Sequence, residues 1–207
     1  MDYDNKKNNS FLIQELINAF NRFPGVGPKT AQRLAYFSIN QNYDETKRFT
    51  EILMTVKNQI GLCEICQDFT INQQCKCANE SRDKSIICVV EDPMDILAID
   101  NSGIYNGQFH VLHGVISPNQ GIGPDDLKIE ELMTRISQNH EIINEIILAT
   151  NPNLEGEATA MYISKLVEPY KLKITRLARG LPSGGDIEYA DGVTISKAIE
   201  YRQEMEY

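Results

Sequence analysis

Ile143, Ile146, Ile147 and Leu148 form a short apolar run that breaks at Asn151-Pro152-Asn153. Such a run suits a strand covered on both faces. Glu155 and Glu157 then open a helix through Ala158, Ala160, Tyr162, Ile163 and Leu166. The same order occurs upstream: the apolar run Ser85–Val90 ends in Glu91, and Asp92-Pro93-Met94-Asp95 leads into a helix through Ile96, Leu97 and Ile99. Phe109–Leu112 reads as a third strand, Ser117–Asp126 as a turn-rich loop, Leu127–Asn139 as a helix, and the region of Ile174 as a last strand. This alternation specifies an α/β domain with a largely parallel sheet. Ligands of such sheets sit beyond the carboxyl ends of the strands, where Glu91, Asn151, Asn153, Glu155 and Glu157 fall. For Glu91 and Asp95 a simpler role is also open, as helix-start acids favoured by the macrodipole.

Four of the five cysteines, Cys63, Cys66, Cys75 and Cys77, lie within 15 residues. Met1–Ser10 is polar and lacks an apolar core of the signal-peptide kind, so a reducing, cytoplasmic setting is expected. Disulfides are disfavoured there, and a tetrahedral thiolate zinc site is the natural reading, with reduced free thiols as the alternative. Gln67–Gln74 is polar apart from Phe69 and Ile71 and needs such a staple. The second pair has one intervening residue, which narrows the backbone geometry available to it. Cys88 sits in an apolar strand as core. His110 and His113 have no third ligand nearby and read as structural or surface groups.

At the N-terminal end, Phe11–Phe20 has helical spacing, with Ser10 as its expected cap and Leu12, Ile13, Leu16, Ile17 and Phe20 on one face. Phe23-Pro24-Gly25-Val26-Gly27-Pro28 turns the chain into a second helix, Lys29–Ile39. A plain αα-hairpin accounts for this pattern. A DNA-binding hairpin also accounts for the cations: Gly25 and Gly27 let backbone N–H groups approach a phosphate, and Lys29 and Arg33 lie one turn apart to neutralise others. Such contacts are sequence-tolerant and salt-sensitive. Asp44–Val56 follows as a packing helix with Phe49, Ile52, Leu53 and Val56 inward.

Charge is uneven. The chain of 207 residues carries −9 overall, yet residues 1–40 hold five basic against three acidic groups. The remainder holds 15 basic against 26 acidic, so only the basic tip suits DNA. No apolar run approaches the roughly 20 residues a membrane helix needs. Gly184-Gly185 lacks the Lys-Ser/Thr of a phosphate loop and is flanked by Asp186, Glu188 and Asp191, which favours a conformational or assembly role. Gly192–Met205 reads as a closing helix with Ile195, Ala198 and Ile199 inward.

Several stretches resemble known families. Pro24–Ala31 is similar to the helix-hairpin-helix signature. Glu91 and the Asn151-Pro152-Asn153 turn resemble the Toprim motifs of topoisomerases and primases, in which two aspartates stand where this chain has Asn151 and Asn153. The amides keep the turn and remove most of the charge that would hold magnesium. In order, these modules, the cysteine cluster and the Gly180-Leu181-Pro182 tail resemble the bacterial recombination mediator family RecR over about residues 10–202.

The resemblance implies an α/β chain of four parts: a helix-hairpin-helix region (1–57), a four-cysteine zinc finger (58–82), a Toprim domain (83–170) and a C-terminal strand-loop-helix assembly segment (171–207). It implies a non-enzymatic clamp in recombinational DNA repair. The clamp is expected to be a ring-like homotetramer with one structural zinc ion per chain. It would act with RecO, and in many bacteria RecF, to load RecA onto single-stranded DNA. Gly25, Gly27, Lys29 and Arg33 would meet single- or double-stranded DNA, and Glu91, Glu155 and Glu157 would form the acidic Toprim surface for RecO. A magnesium-dependent nuclease or topoisomerase-like enzyme using Glu91 and Glu157 is the rival reading. A zinc-stabilised DNA-binding module without partners is a third.

Overall fold

The computed structural model describes residues 3–72 and 74–204. The chain divides into two compact units, Met1–Gln59 and Ile60–Tyr207. In the first, helix α1 (Tyr3–Phe20) packs against α2 (Pro28–Asn40), where Ala31 and Ala35 are fully buried. Helix α1 starts well before Phe11, so Ser10 lies inside it and caps nothing. Once a helix is nucleated, each further residue adds one hydrogen bond, and the polar lead-in joins at little cost. Leu12, expected on the inner face, is exposed.

Helix α3 (Tyr43–Gln59) begins where the Asn42 side chain accepts the Glu45 N–H at 2.8 Å. It buries none of its residues. Phe49, Ile52, Leu53 and Val56, expected inward, are 59%, 53%, 49% and 47% exposed. Periodicity shows that a helix face is apolar, and it is silent on whether the same chain covers that face.

The second unit opens with an antiparallel hairpin, β1 (Ile60–Leu62) and β2 (Phe69–Ile71), which carries the cysteine lobe. The α/β domain follows as β3 (Asp83–Val90), α4 (Pro93–Asn101), β4 (Gly107–Val111), α5 (Ile129–Asn139), β5 (Glu145–Leu148), α6 (Leu154–Val167) and β6 (Lys173–Arg176). Its four strands run in parallel in the order β4-β3-β5-β6. Alternation along β3 divides the core: Ile87 and Val89 join Leu132, Ile136, Ile146, Leu148 and Ile163 on one face. Cys88 and Val90 join Ile96, Phe109 and Val111 on the other. Burial pushes the Cys88 thiol up to about 12, as suits a core sulfur.

After the Gly180–Gly185 loop, α7 (Gly192–Glu200) is capped by Asp191, which accepts the Val193 and Thr194 N–H groups. Ile195 and Ala198 are half-buried, but Ile199, expected inward, is 61% exposed. The helix ends at Glu200, short of the expected Met205, which itself lies outside the described residues.

Candidate functional site

The turn between α1 and α2 is built by its glycines. Gly25 has φ +76°, a region L side chains rarely adopt, and Val26 N–H closes back on the Phe23 carbonyl at 3.1 Å. Gly27 is the N-cap of α2 and offers no side chain to its first N–H groups, while Pro28 at the first turn has none to satisfy. The helix N-terminus is therefore open to an anion. Lys29 and Arg33 lie one turn apart on α2, both exposed.

The four cysteines converge. Their sulfurs all lie within 4.8 Å of one another, with Cys63 and Cys77 at 3.5 Å and Cys66 and Cys75 at 3.2 Å. A tetrahedral ion with metal–sulfur bonds of about 2.3 Å sets sulfurs about 3.8 Å apart, so the donor set fits one metal. Gln67, with φ +61°, closes the first knuckle, where Cys63 N–H donates to the Asp68 carbonyl at 2.8 Å. The short spacer of the second pair is absorbed by a 3₁₀ turn, Lys76–Ala78, in which Cys77 N–H reaches Cys75 Sγ at 3.4 Å. Hydrogen bonding among the sulfurs raises the Cys66 pKa and lowers that of Cys75.

The lobe is fastened to the sheet. Val111 N–H donates to the Cys66 carbonyl at 2.9 Å, and His113 Nε2 lies 2.6 Å from the Gln67 carbonyl. His110 is fully buried, its Nε2–H directed at the Lys128 carbonyl at 2.8 Å, and burial lowers its pKa to about 4. Both histidines are therefore structural.

The third site lies at the topological switch point. From β3 the chain moves to β4 on one side and then crosses to β5 on the other, so the crevice beyond β3 and β5 is where an α/β sheet holds ligands. Glu91 follows β3 and Asn151 follows β5. Asn151 donates its backbone N–H to Glu91 Oε1 at 2.6 Å and its amide Nδ2–H to Oε2 at 2.7 Å. Two carboxylates here would repel and need a cation between them, whereas the amide satisfies Glu91 directly. Asn153 is also committed: its Oδ1 accepts the Gly156 N–H at 2.8 Å and caps α6.

A Cβ at Gly156 would stand 2.2 Å from the Asn151 carbonyl oxygen and 2.9 Å from Glu91 Oε1, so the helix enters the crevice only as glycine. Glu157 is gripped by the guanidinium groups of Arg176 and Arg179, which both donate to Oε1. The Arg179 hydrogen bond holds its carboxyl below the usual glutamate range. Arg176 also donates to Thr150 Oγ1 at 2.6 Å. The Glu155 carboxylate has no hydrogen-bond or ion-pair partner among the described residues.

Sequence reasoning missed three arginines. Arg176 ends an ordinary strand and Arg179 lies just beyond it, and neither carries a local signal. Arg135 does carry one, since it falls among Ile129, Leu132 and Ile136 on the buried face of α5, where a charge is out of place.

Among the described residues no helix is long and apolar enough to cross a membrane. Three family models match the chain: the RecR helix-hairpin-helix over residues 13–57, the Toprim domain over 85–178 and the RecR C-terminal region over 180–203. The cysteine cluster lies between the first two. Two RecR-specific regions thus flank a Toprim match, and the chain belongs to the RecR family.

Proposed function

We propose that this chain is a non-enzymatic DNA-binding clamp of recombinational repair, which works with RecO, and with RecF where it is present, to help load RecA onto single-stranded DNA. Family membership supports a repair role, DNA binding and self-assembly in general terms. The observation that carries the reading is the Glu91–Asn151 contact, which spends the crevice's would-be metal ligand on an internal amide. Lewis-acid phosphoryl chemistry needs carboxylates at these positions, so the rival nuclease reading is disfavoured.

In this reading Gly25, Gly27, Lys29 and Arg33 hold phosphates without reading bases. Four such tips in a ring-like homotetramer act together, which lets an acidic chain bind DNA by several weak contacts. The exposed apolar residues of α3 and the outer face of α7, including Val193 and Ile199, support subunit contacts. The cysteines hold one structural zinc ion, which replaces the core that the polar lobe lacks. Glu155 is the acid free to meet a basic partner, while Glu91 and Glu157 shape the surface from internal contacts. The four parts of the chain then divide the work: tip (1–57), finger (58–82), partner surface (83–170) and assembly tail (171–207).

Light scattering with and without DNA tests the clamp. A four-chain mass, with salt-sensitive DNA binding lost in Lys29→Ala/Arg33→Ala, is expected. A strict monomer that still binds DNA would overturn the ring. RecO binding that survives Glu155→Lys would remove that residue from the partner surface. Magnesium-dependent nicking that disappears in Glu91→Gln would replace the clamp with the enzyme.

A further inference from the structure

Arg135 is 7% exposed and sits on α5 among core aliphatics. A buried guanidinium ordinarily has a carboxylate beside it, yet among the described residues none pairs with Arg135. Its fork is spent on neutral acceptors instead. One arm donates to the Phe109 carbonyl at 2.7 Å and the other to Gln108 Oε1. Gln108 in turn donates from Nε2 to the Cys77 carbonyl at 3.3 Å, so α5, β4 and the second cysteine pair form one polar chain.

The polar chain from Arg135 leads through Gln108 to the backbone of the cysteine cluster. Burial lowers the Arg135 pKa, and Cys66, Cys77 and Cys63, when ionised, act in the opposite sense. Four thiolates around a divalent metal carry a net charge of about −2, which in a low-dielectric setting acts strongly on a nearby cation.

We propose that Arg135 is a positioning residue of the metal centre, a buried counter-cation for the metal–tetrathiolate cluster that also orients the second cysteine pair through Gln108. The inference rests on the four-cysteine metal reading and adds a group outside the cysteine lobe. Loading the metal thereby stabilises the packing of α5, and the Toprim sheet in turn sets the affinity of the lobe for its ion.

The test is zinc affinity, by competition with a chelating dye, in full-length wild type, Arg135→Gln and Arg135→Lys. Thermal unfolding of the loaded and metal-free forms of each is measured alongside. Arg135→Gln keeps a donor for the Phe109 carbonyl and removes the charge. It is expected to weaken zinc binding about 10- to 100-fold. Arg135→Lys, which keeps the charge, is expected to recover most of that loss.

The metal-free form gives the discriminating sign. Without the thiolate–metal charge Arg135 is a cation lacking its partner, so metal-free Arg135→Gln unfolds no lower than metal-free wild type. Unchanged zinc affinity in Arg135→Gln overturns the proposal. So does equal destabilisation of both forms, failure to fold in either, or equal loss in Arg135→Lys, each of which marks an ordinary packing residue. A wild-type chain that takes up neither zinc nor cobalt sinks the metal reading itself and this proposal with it, an outcome distinct because the variants are not needed to see it.

Discussion

Asn151 and Glu91, separated by 60 residues in sequence, meet through two hydrogen bonds of 2.6 and 2.7 Å that join the ends of β5 and β3. Asn151→Asp replaces the amide donor with a second negative charge. We expect a loss of about 1–3 kcal/mol in metal-free buffer, partly restored by millimolar magnesium. Urea unfolding with and without the ion checks it; a loss indifferent to magnesium would show that the crevice cannot regain a cation site by this change alone.

Gly156→Ala asks the same crevice for space. Its new methyl group meets backbone oxygen at 2.2 Å, an atom that cannot move aside as a side-chain tip would. A loss of about 3 kcal/mol or more is expected in chemical denaturation.

Acid should act in two windows. His110 is held neutral, its pKa lowered to about 4 from the usual 6.5, so the unfolded chain takes up the proton first. Stability therefore falls as pH drops from about 6.5 towards 4, and His110→Gln flattens this limb. Glu157 is depressed in the folded state, chiefly by Arg179, so its contribution is present above about 4.5 and is lost as pH falls through its lower folded value. Glu157→Gln should flatten only that lower limb in denaturation midpoints measured against pH.

Lys29→Ala and Arg33→Ala should each weaken DNA binding alike across sequences. Each lost phosphate contact should reduce the slope of log affinity against log salt by about 0.7 on single strands. Fluorescence anisotropy over a salt series with two unrelated oligonucleotides reads both effects.

On α3, Ile52→Glu places a charge on an apolar face that its own chain leaves half exposed. Helicity by circular dichroism should hold while the solution mass falls. A mass that does not change would assign this face to something other than self-assembly.

The strands and helices of the Toprim sheet were legible because both periods are strong there and Pro and Gly punctuate them, as at Asn151-Pro152-Asn153. The cysteine spacing likewise announced its cluster, and the one-residue spacer needed only a tight turn. What sequence could not supply was who covers whom. The faces of α3 and α7 read as buried because spacing encodes apolarity and not its partner, and Ser10 read as a cap because a helix can extend through polar residues. Nor could it foresee that Glu91 and Glu157 are held by Asn151, Arg176 and Arg179, which come to them from distant segments.

The cysteine lobe is anchored to the end of β4 by His113 reaching Gln67 across 46 residues of chain. A ribosome adding about 5–20 residues per second needs roughly 2–9 s to supply that stretch. Once Cys77 has emerged, the four thiols wait for the rest of that time with no sheet to rest on, open to oxidation or to the wrong ion. Early capture of its metal would therefore guard the nascent chain while the strand that will receive it is still being made.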